Sequence, residues 1–550
     1  MNADVWKDYS ARIVTTEIAD KCVEVEATEG MSGVLDAIGV AAVEKVVKLK
    51  VKGSINSYDI IVFRDKMPLL CELDLSEATV VASNKPFYQT YCTGDNSLGG
   101  YAFNNLDKLV SVKLPRDLVT LGNNAFYDCD NLRIVDARAA GKMSVGENAF
   151  CYCDKLEEVY MPDEVENISR NAFQYCGSLR RLDIKSVEGA IDTYAFQGTN
   201  KLGSLDFLSV GSLQSSAFYG TSNGGKITIG AVTGDINTNA FYYSGAKEVY
   251  IGSCNGELRE RAFENCSYLK SVEFGKGPSA IGSRILRNST GVERFIAGEG
   301  TQSVAEYAFS NKASSYYESA KFNTNLKTVV LPSSVKSIGS YAFYNCTALS
   351  DFTMPDSLTV IGDCAFQDCD SLKSVNIADR VTSIGDHAFF DCGNLENVLF
   401  GKGLVEIGNN AFGKCKNLKN IVFLGNEKAE LNGDAFTDPI TDQPYQVEKM
   451  YIPKSLYNKY VADKEYTTHT KEFCANYEED ALFRAYGSHA VMSKDQLKNV
   501  INIDGWFDYH NDIADLTSLA ESSLDTLKVT TLSPLKELQK ITLPVTLAVV

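Results

Sequence analysis

The sequence predicts an α/β-type solenoid made mostly of strands and loops. The first observation behind this fold class is the dipeptide Ala-Phe, which recurs fourteen times and almost always 22 to 24 residues after the previous copy. The second is a short strand pattern that recurs at the same interval. A fixed period of about 20–50 residues indicates a solenoid, in which each repeat buries its apolar face only against its neighbours. The phenylalanines are Phe103, Phe126, Phe150, Phe173, Phe196, Phe218, Phe241, Phe263, Phe309, Phe343, Phe366, Phe389, Phe412 and Phe436.

Each repeat contains the same elements in the same order. Val329 and Leu331 alternate as in a β-strand, so both are expected to point inward. Proline then ends the strand, as at Pro332, where a missing donor is tolerated. A bend follows at an Ile-Gly pair, in which glycine is expected to adopt backbone angles closed to other residues. Ala-Phe then supplies one small and one large core group, so the phenylalanines should stack. The glycines are Gly339, Gly362, Gly385 and Gly408.

These residues resemble the BspA-like, or Treponema-type, leucine-rich repeat, whose consensus is close to A-F-x-x-C-x-x-L-x-x-V-x-L-P-x-x-V-x-x-I-G. The resemblance spans residues 101 to 437, and Ile285-Leu286 replaces one Ala-Phe pair, which gives about fifteen units. It implies a right-handed, curved leucine-rich repeat array with a concave parallel β-sheet. It also implies a non-enzymatic role in surface attachment. The units around Phe196, Phe218, Phe241 and Leu286 lack the proline or the cysteine and so depart from this consensus.

The net charge and the amino-acid composition disfavour several classes of function. The formal net charge of −18 disfavours nucleic acid and anionic lipid, since both require clustered Lys and Arg. No apolar run approaches the length of a membrane span. The family implies a protein at the cell surface or secreted, with its leader trimmed from this chain. No catalytic, cofactor-binding or metal-ligand motif is found, so neither an enzyme nor a cofactor is predicted.

Eight of the fifteen cysteines occupy one repeat position, three residues after the Ala-Phe phenylalanine. Thr199, Thr221 and Ser244 take the same position in other units, which indicates a small group that hydrogen-bonds the backbone. We therefore expect a ladder of buried, reduced thiols, although the strand spacing alone does not exclude disulfides. The ladder comprises Cys129, Cys153, Cys176, Cys266, Cys346, Cys369, Cys392 and Cys415.

Three segments are predicted. Residues 1–91 form an N-terminal cap with strands near Val47–Val51 and Leu70–Leu75 and a helix across Tyr58–Lys66. Residues 92–453 form the solenoid. Residues 454–550 begin with a capping helix over Ser455–Asp463 and continue as a second, short leucine-rich segment. In that segment Ile513–Glu521 is expected to be helical, and Leu524–Val529 and Leu538–Pro544 are expected to be strands.

The middle residue of each strand should point outward and form a column on one face of the sheet. Its first half is mostly polar or charged and comprises Lys113, Asp136, Tyr160, Asp183, Asp206, Thr228, Tyr250 and Glu273. Its second half loses charge and comprises Val330, Thr353, Asn376, Leu399, Val422 and Tyr451. Loss of charge on a solvated face indicates a covered or binding patch, although strand propensity alone also favours Val and Thr.

A second candidate site is the insertion over residues 310–325, which contains Tyr316 and Tyr317. Insertions in solenoids loop outward and are often functional. The leading hypothesis is an adhesin-like binding protein that presents the concave face and this loop to a protein or glycan on a host or neighbouring cell surface. Candidate contact residues are Tyr316, Tyr317, Val330, Thr353, Asn376, Leu399 and Val422. The alternative is a structural spacer within a longer surface protein.

Overall fold

The computed structural model describes residues 22–27, 32–40, 42–221, 224–310, 324–438, 443–444, 446–474, 515–516, 526–527, 540–541 and 548–549. The chain divides into two compact units, Met1–Leu202 and Gly203–Val550. Both are built from short strands that pair in parallel with the strands of neighbouring coils. The chain is therefore a parallel-strand β-solenoid, mostly strand and loop, as predicted.

The first unit has two rows of strands. The outward-column row is one seven-stranded parallel sheet: β1 (Val23–Ala27), β2 (Lys48–Ile55), β3 (Glu72–Val80), β5 (Ser111–Lys113), β7 (Ile134–Asp136), β9 (Glu158–Tyr160) and β11 (Arg181–Asp183). The second row lies beyond the bend of each coil: β4 (Ser97–Leu98), β6 (Thr120–Leu121), β8 (Met143–Val145), β10 (Glu164–Ile168) and β12 (Ser186–Ile191).

The N-terminal segment contains the two expected strands, in β2 and β3, and an additional one, β1. Helix α1 (Gly33–Ile38) and a 3₁₀ turn (Val43–Lys45) precede β2, and helix α2 (Ser57–Ile61) with a π-helical turn (Val62–Lys66) follows it. Asn56 and Asp59 form a capping box on α2, and Asp59 also accepts a hydrogen bond from Ser32 at 2.9 Å. β3 pairs with β5, so this segment and the first repeats share one sheet.

The second unit continues the same pattern. Its outward-column strands are β13 (Leu205–Leu213), β14 (Lys226–Val232), β15 (Glu248–Cys254), β16 (Ser271–Lys276), β18 (Arg294–Ile296), β20 (Thr328–Val330), β22 (Asp351–Phe352), β24 (Ser374–Ile377), β26 (Asn397–Phe400), β28 (Asn420–Phe423), β32 (Val447–Tyr451) and β33 (Thr470–Cys474). The second row is β17 (Ala280–Ile281), β19 (Ser303–Val304), β21 (Ser337–Ile338), β23 (Val360–Ile361), β25 (Ser383–Ile384), β27 (Glu406–Ile407) and β29 (Glu430–Leu431). An antiparallel pair, β30 (Thr437–Asp438) and β31 (Gln443–Pro444), follows it.

Stacked phenylalanines form the core of both units, as predicted. The Ala-Phe rings are 0–1% exposed. Phe126 and Phe150 have ring centroids 5.4 Å apart and planes within 7°. Phe366 and Phe389 lie 5.1 Å apart with planes within 1°. Each of these rings therefore stacks on an Ala-Phe ring of an adjacent coil, as expected when repeats are stabilised by their nearest neighbours.

The irregular middle repeats have a structural explanation. From β13 to β16 the strands are six to nine residues long and continue through the bend at which proline ends the strand elsewhere. Glycine makes this continuation possible, because a Cβ on Gly252 would lie 2.4 Å from the Gly230 carbonyl oxygen. In these repeats the strand is not ended by proline, and glycines let the backbones of adjacent coils pack closely through the bend.

The prediction that the Ile-Gly glycines adopt backbone angles closed to other residues is wrong. None of Gly339, Gly362, Gly385 and Gly408 has a positive φ. A Cβ on Gly362 would instead lie 2.5 Å from the Ser340 nitrogen and 2.7 Å from the Gly339 carbonyl carbon. These glycines are required because adjacent coils approach closely at the bend and leave no room for a side chain.

Positive φ angles occur at two other positions of the repeat, two residues before and two residues after the Ala-Phe phenylalanine. Around Phe126 they are Asn124 (57°) and Asp128 (58°), and around Phe389 they are His387 (56°) and Asp391 (55°). The frequent Asn, Asp and Gly at these positions were the signal in the sequence, since these residues tolerate the left-handed region best.

Two short helices, α3 (Tyr457–Val461) and α4 (Lys464–Thr468), follow β32. α3 lies within the helix predicted over Ser455–Asp463. The buried rings of Tyr460 and Tyr466 pack on Phe423, with centroids at 5.0 and 5.8 Å. The Tyr466 hydroxyl donates to the Ala429 carbonyl at 2.8 Å. The two helices therefore pack on the buried side of β28, at Phe423.

In the C-terminal segment the structure describes four two-residue strands, paired in parallel as β34 (Asp515–Leu516) with β36 (Lys540–Ile541) and β35 (Thr526–Leu527) with β37 (Ala548–Val549). β35 and β36 lie within the two predicted strands. The helix predicted over Ile513–Glu521 is wrong at Asp515–Leu516, because pairing with a distant strand overrides the local helical spacing of its apolar residues. The rest of this segment lies outside the described residues.

Candidate functional site

Strand pairing places the predicted outward column of the first unit in exact cross-strand register. Lys113 lies opposite Asp136, Asp136 opposite Tyr160, and Tyr160 opposite Asp183. The column begins earlier than predicted, since Asp74 lies opposite Lys113. Neighbouring members are therefore about 5 Å apart, the spacing of adjacent strands.

The charges of this column are paired within the protein. Lys113 lies 2.7 Å from Asp74, and Arg138 lies 2.5 Å from Asp136. Arg181 lies 3.4 Å from Asp183. The first unit therefore presents a face with both signs interspersed and mutually satisfied.

Tyr160 is the centre of this face and is only 3% exposed. The guanidinium carbons of Arg138 and Arg181 lie 4.9 and 5.0 Å from its ring centroid. Its hydroxyl donates to Glu158 at 2.5 Å. Burial and this carboxylate together raise the pKa of Tyr160 to about 12. The phenol therefore stays neutral and serves as a fixed support for the two arginines.

The outward column of the second unit is likewise in register. Asp206, Thr228, Tyr250 and Glu273 lie opposite one another in sequence order. Glu273 then lies opposite Ile296, and Ile296 opposite Val330. Sequence reasoning missed Ile296 because its repeat lacks Ala-Phe. Phe295, at the inward position of the same strand, was the signal that could have located it.

The charge-free half of the column divides into an open and a covered part. Val330 is 44% exposed, Thr353 is exposed and Asn376 is half-buried. Leu399 and Val422, which lie opposite each other, are 1% and 0% exposed and pack with Leu424 and Tyr451. The expectation that Leu399 and Val422 line an accessible surface is therefore not met. Strand alternation fixes the side of the sheet to which a residue points, but not whether that side is open.

Tyr316 and Tyr317 lie outside the described residues, so the predicted loop site has no described geometry. No helix within the described ranges is long and apolar enough to cross a membrane. The described side chains also bring together no group of three or more His, Cys, Asp or Glu that could hold a metal ion.

The eight ladder cysteines lie at equivalent places in their coils. Each is 0–2% exposed and free of any disulfide. Each thiol donates to the carbonyl of an Ala-Phe phenylalanine in the preceding coil, at 2.9 to 3.7 Å. The ladder thiols therefore tie one coil to the next.

The residues that replace cysteine at the ladder position make two kinds of hydrogen bond, either to the preceding coil or within their own coil. Ser289 donates across coils to the Phe263 carbonyl at 2.5 Å, as the cysteines do. Thr199 and Thr221 instead donate to Phe196 and Phe218 of their own coils, at 2.9 and 2.8 Å. Ser289 therefore makes the same bond between coils as cysteine, whereas the two threonines bond within their own coils. Ser244 instead shares a hydrogen bond with the Thr221 hydroxyl at 3.2 Å.

Burial raises the pKa of six of these thiols, and the pKa of Cys266 and of Cys346 reaches about 12. The other four are Cys153, Cys176, Cys369 and Cys392. Since only the thiolate is a good nucleophile, the ladder cysteines should be inert in the native state. Their position supports a structural role and offers no reactive centre.

Cys392→Ala is expected to lower the free energy of unfolding by about 0.5–1.5 kcal/mol, because the buried Phe366 carbonyl loses one of its two donors and keeps only the Cys369 N–H at 3.3 Å. Cys392→Ser should cost less, since Ser289 makes the same bond elsewhere in the chain. Urea denaturation of both variants measures the difference. Equal losses for the two variants would show that the hydrogen bond is not what the position requires.

The repeated coil, with its inward strand residues, buried phenylalanine and hydrogen-bonding cysteine, defines a leucine-rich repeat protein. The family model for the BspA type leucine rich repeat region matches in six copies, over residues 93–203, 189–316 and 315–440. The chain belongs to this family. Its members are generally cell-surface proteins that bind other proteins, and they are typically not enzymes.

Several solved structures are similar to this chain. A leucine rich cell surface protein from Faecalibacterium prausnitzii is 23% identical, with 63% of this chain and 87% of that chain covered and a TM-score of 0.28. A leucine-rich repeat protein from Bacteroides ovatus is 21% identical, with 64% and 97% covered and a TM-score of 0.33. The Leucine Rich Repeat protein of T. pallidum is 25% identical, with 36% and 77% covered and a TM-score of 0.27. With TM-scores below 0.5, none of these likenesses supports an inference about a ligand. No curated protein matches the sequence.

Proposed function

We propose that this chain is a non-enzymatic, adhesin-like binding protein, exported or held at the cell surface, that meets a protein or glycan with the outward column of its second unit. The observation that carries this proposal is the open patch formed by Tyr250, Ile296, Val330 and Thr353. In the first unit the same column is mostly charged and ion-paired, whereas Glu273 is the one charged residue of the column between Tyr250 and Thr353.

The composition of the open patch supports partner contact. Val330 is 44% and Tyr250 is 38% exposed, and the Lys226 ammonium lies 5.6 Å from the Tyr250 ring centroid. Partner binding is usually dominated by a few aromatic and apolar anchors within a polar rim. Glu273, which is paired with Arg294 at 3.1 Å, supplies such a polar neighbour between Tyr250 and Ile296.

The contact residues in this proposal are those of the open patch, together with Asn376 of the same column and the loop residues Tyr316 and Tyr317. The tyrosine loop is included because it leads from the core Phe309 to β20, the strand that holds Val330. Leu399 and Val422 are not included, since buried side chains cannot anchor a partner without a rearrangement.

Val330→Glu tests the proposal. The protein is screened against immobilised extracellular-matrix proteins and a glycan array, and affinities are measured for the positive probes. Val330→Glu should weaken binding by about tenfold or more, because a charge then enters an uncharged contact. Val405→Glu is the matched control, since Val405 is 58% exposed but lies outside the column. A chain that binds no probe would favour the spacer alternative. Binding that Val330→Glu leaves unchanged would show that the open patch is not the contact surface.

A further inference from the structure

A second surface of the first unit contains almost no charged residues. It consists of the residues two before, one after and two after the phenylalanine in four consecutive coils. We call it the tyrosine–amide face. Asp128 is its only charged member, although 23% of the chain is charged. Its members are Asn124, Tyr127, Asp128, Asn148, Cys151, Tyr152, Asn171, Gln174, Tyr175, Tyr194, Gln197 and Gly198.

Contacts along the face join its members from coil to coil. The ring of Tyr152 lies 5.6 Å from that of Tyr127 and 5.1 Å from that of Tyr175. The Gln174 amide donates to Gln197, and the Asn171 amide donates to Asn148 at 3.0 Å. Phenol and amide groups are thus repeated at the interval of one coil and are held in place by their neighbours.

The backbone shows that packing does not require tyrosine here. Tyr152 and Tyr175 have φ angles of 61° and 57°, in the left-handed region that bulky residues avoid. Asn, Asp or Gly takes the same position in most other coils, at Asn105, Asp128, Gly198, Gly220, Asn265, Asn288, Asn345, Asp368 and Asp391. The two tyrosines therefore adopt a disfavoured conformation although their side chains are 42% and 40% exposed.

The chemistry of the face selects among ligands. Tyrosine, asparagine and glutamine both donate and accept hydrogen bonds, and the tyrosine rings add apolar area at low entropic cost. An acidic or basic ligand would find almost no countercharge. A ligand with many hydroxyl groups and apolar C–H surface would satisfy both kinds of group. Repetition at every coil favours a ligand that itself repeats.

We propose that the tyrosine–amide face binds an uncharged polysaccharide along the direction in which the coils repeat. This inference extends the proposed binding function to a different surface and to one class of ligand. Tyr152 and Tyr175 provide the main contacts, and the amides of Gln174 and Asn171 support hydrogen bonding to the sugar hydroxyls.

The test is affinity electrophoresis in gels that contain one of the neutral polysaccharides mannan, xyloglucan, laminarin or arabinoxylan. A gel that contains heparin, an acidic polysaccharide, is run for comparison. At least one neutral polysaccharide should retard the protein, and heparin should not. The double variant Tyr152→Asn/Tyr175→Asn should bind about tenfold more weakly or not at all. Because asparagine suits the left-handed conformation, the variant should keep its thermal midpoint, so lost binding cannot be ascribed to unfolding.

Tyr268→Asn is the matched control, since Tyr268 is 61% exposed but lies outside the face. The inference is overturned if no neutral polysaccharide retards the protein, if only heparin does, or if the double variant is retarded as strongly as the parent. The matrix-protein and glycan screen with Val330→Glu separates the two proposals. Binding that depends on Val330 but not on Tyr152 and Tyr175 would leave the proposed function intact and reject this inference alone.

Discussion

Gly146→Ala is expected to lower the free energy of unfolding by about 3 kcal/mol or more. The added Cβ would lie 2.6 Å from the Gly122 carbonyl carbon and 2.7 Å from the Asn123 nitrogen. Both atoms belong to the backbone of the preceding coil, so no flexible side chain can move aside. The coils must separate locally, and overpacking of this kind costs more when the backbone itself has to shift.

Gly177→Ala is the control, because it lies in the same unit and a Cβ there would meet nothing within 4 Å. With no positive φ at Gly177, alanine should be neutral or stabilising by about 0.4–1 kcal/mol through the unfolded state. Urea denaturation followed by circular dichroism compares the two. Similar midpoints for both variants would show that close approach at the bend is not what selects glycine.

Phe366→Ala is expected to destabilise its coil by about 3–5 kcal/mol, the usual cost of emptying a buried phenylalanine site. Phe366 is 0% exposed. Its ring stacks on Phe343 at 4.9 Å and on Phe389 at 5.1 Å, and Phe352 meets it edge-on at 5.0 Å. The substitution therefore removes three aromatic ring contacts at once.

Phe366→Leu should cost less, about 1.5 kcal/mol or below, since leucine keeps most of the apolar contact. The chain already contains this arrangement, because Leu286 fills the same position and is fully buried. Hydrogen exchange should show lost protection in the coils of Phe343 and Phe389 first, because repeats depend on their immediate neighbours. Uniform loss of protection across the unit would contradict this local picture.

The period of the sequence was sufficient to predict the fold and the register of the outward column. Alternation in each Val-x-Leu strand identified the residues that pair across strands, from Lys113 to Asp183 and from Asp206 to Glu273. These features are local and repeated, so each copy reinforces the same interpretation.

Features that depend on neighbouring coils were harder to predict. The sequence pattern predicted unusual backbone angles at Gly362. Glycine is required there because the backbone of Gly339 and Ser340, one coil earlier, leaves no room for a side chain. The burial of Leu399 and Val422 depends on what lies over the sheet, and strand periodicity contains no information about that. The tyrosine–amide face was missed because its members are separated by whole coils and become neighbours only in three dimensions.

The ladder thiols provide a built-in reporter for each coil that contains one. Because every ladder cysteine is shielded and free, alkylation of a given sulfur can occur only when its own coil opens. Peptide mapping after timed exposure to an alkylating reagent would therefore record the opening of eight separate places along the chain, without any introduced label. The alkylation rate of each ladder cysteine, followed by mass spectrometry, would therefore report the local stability of its own coil.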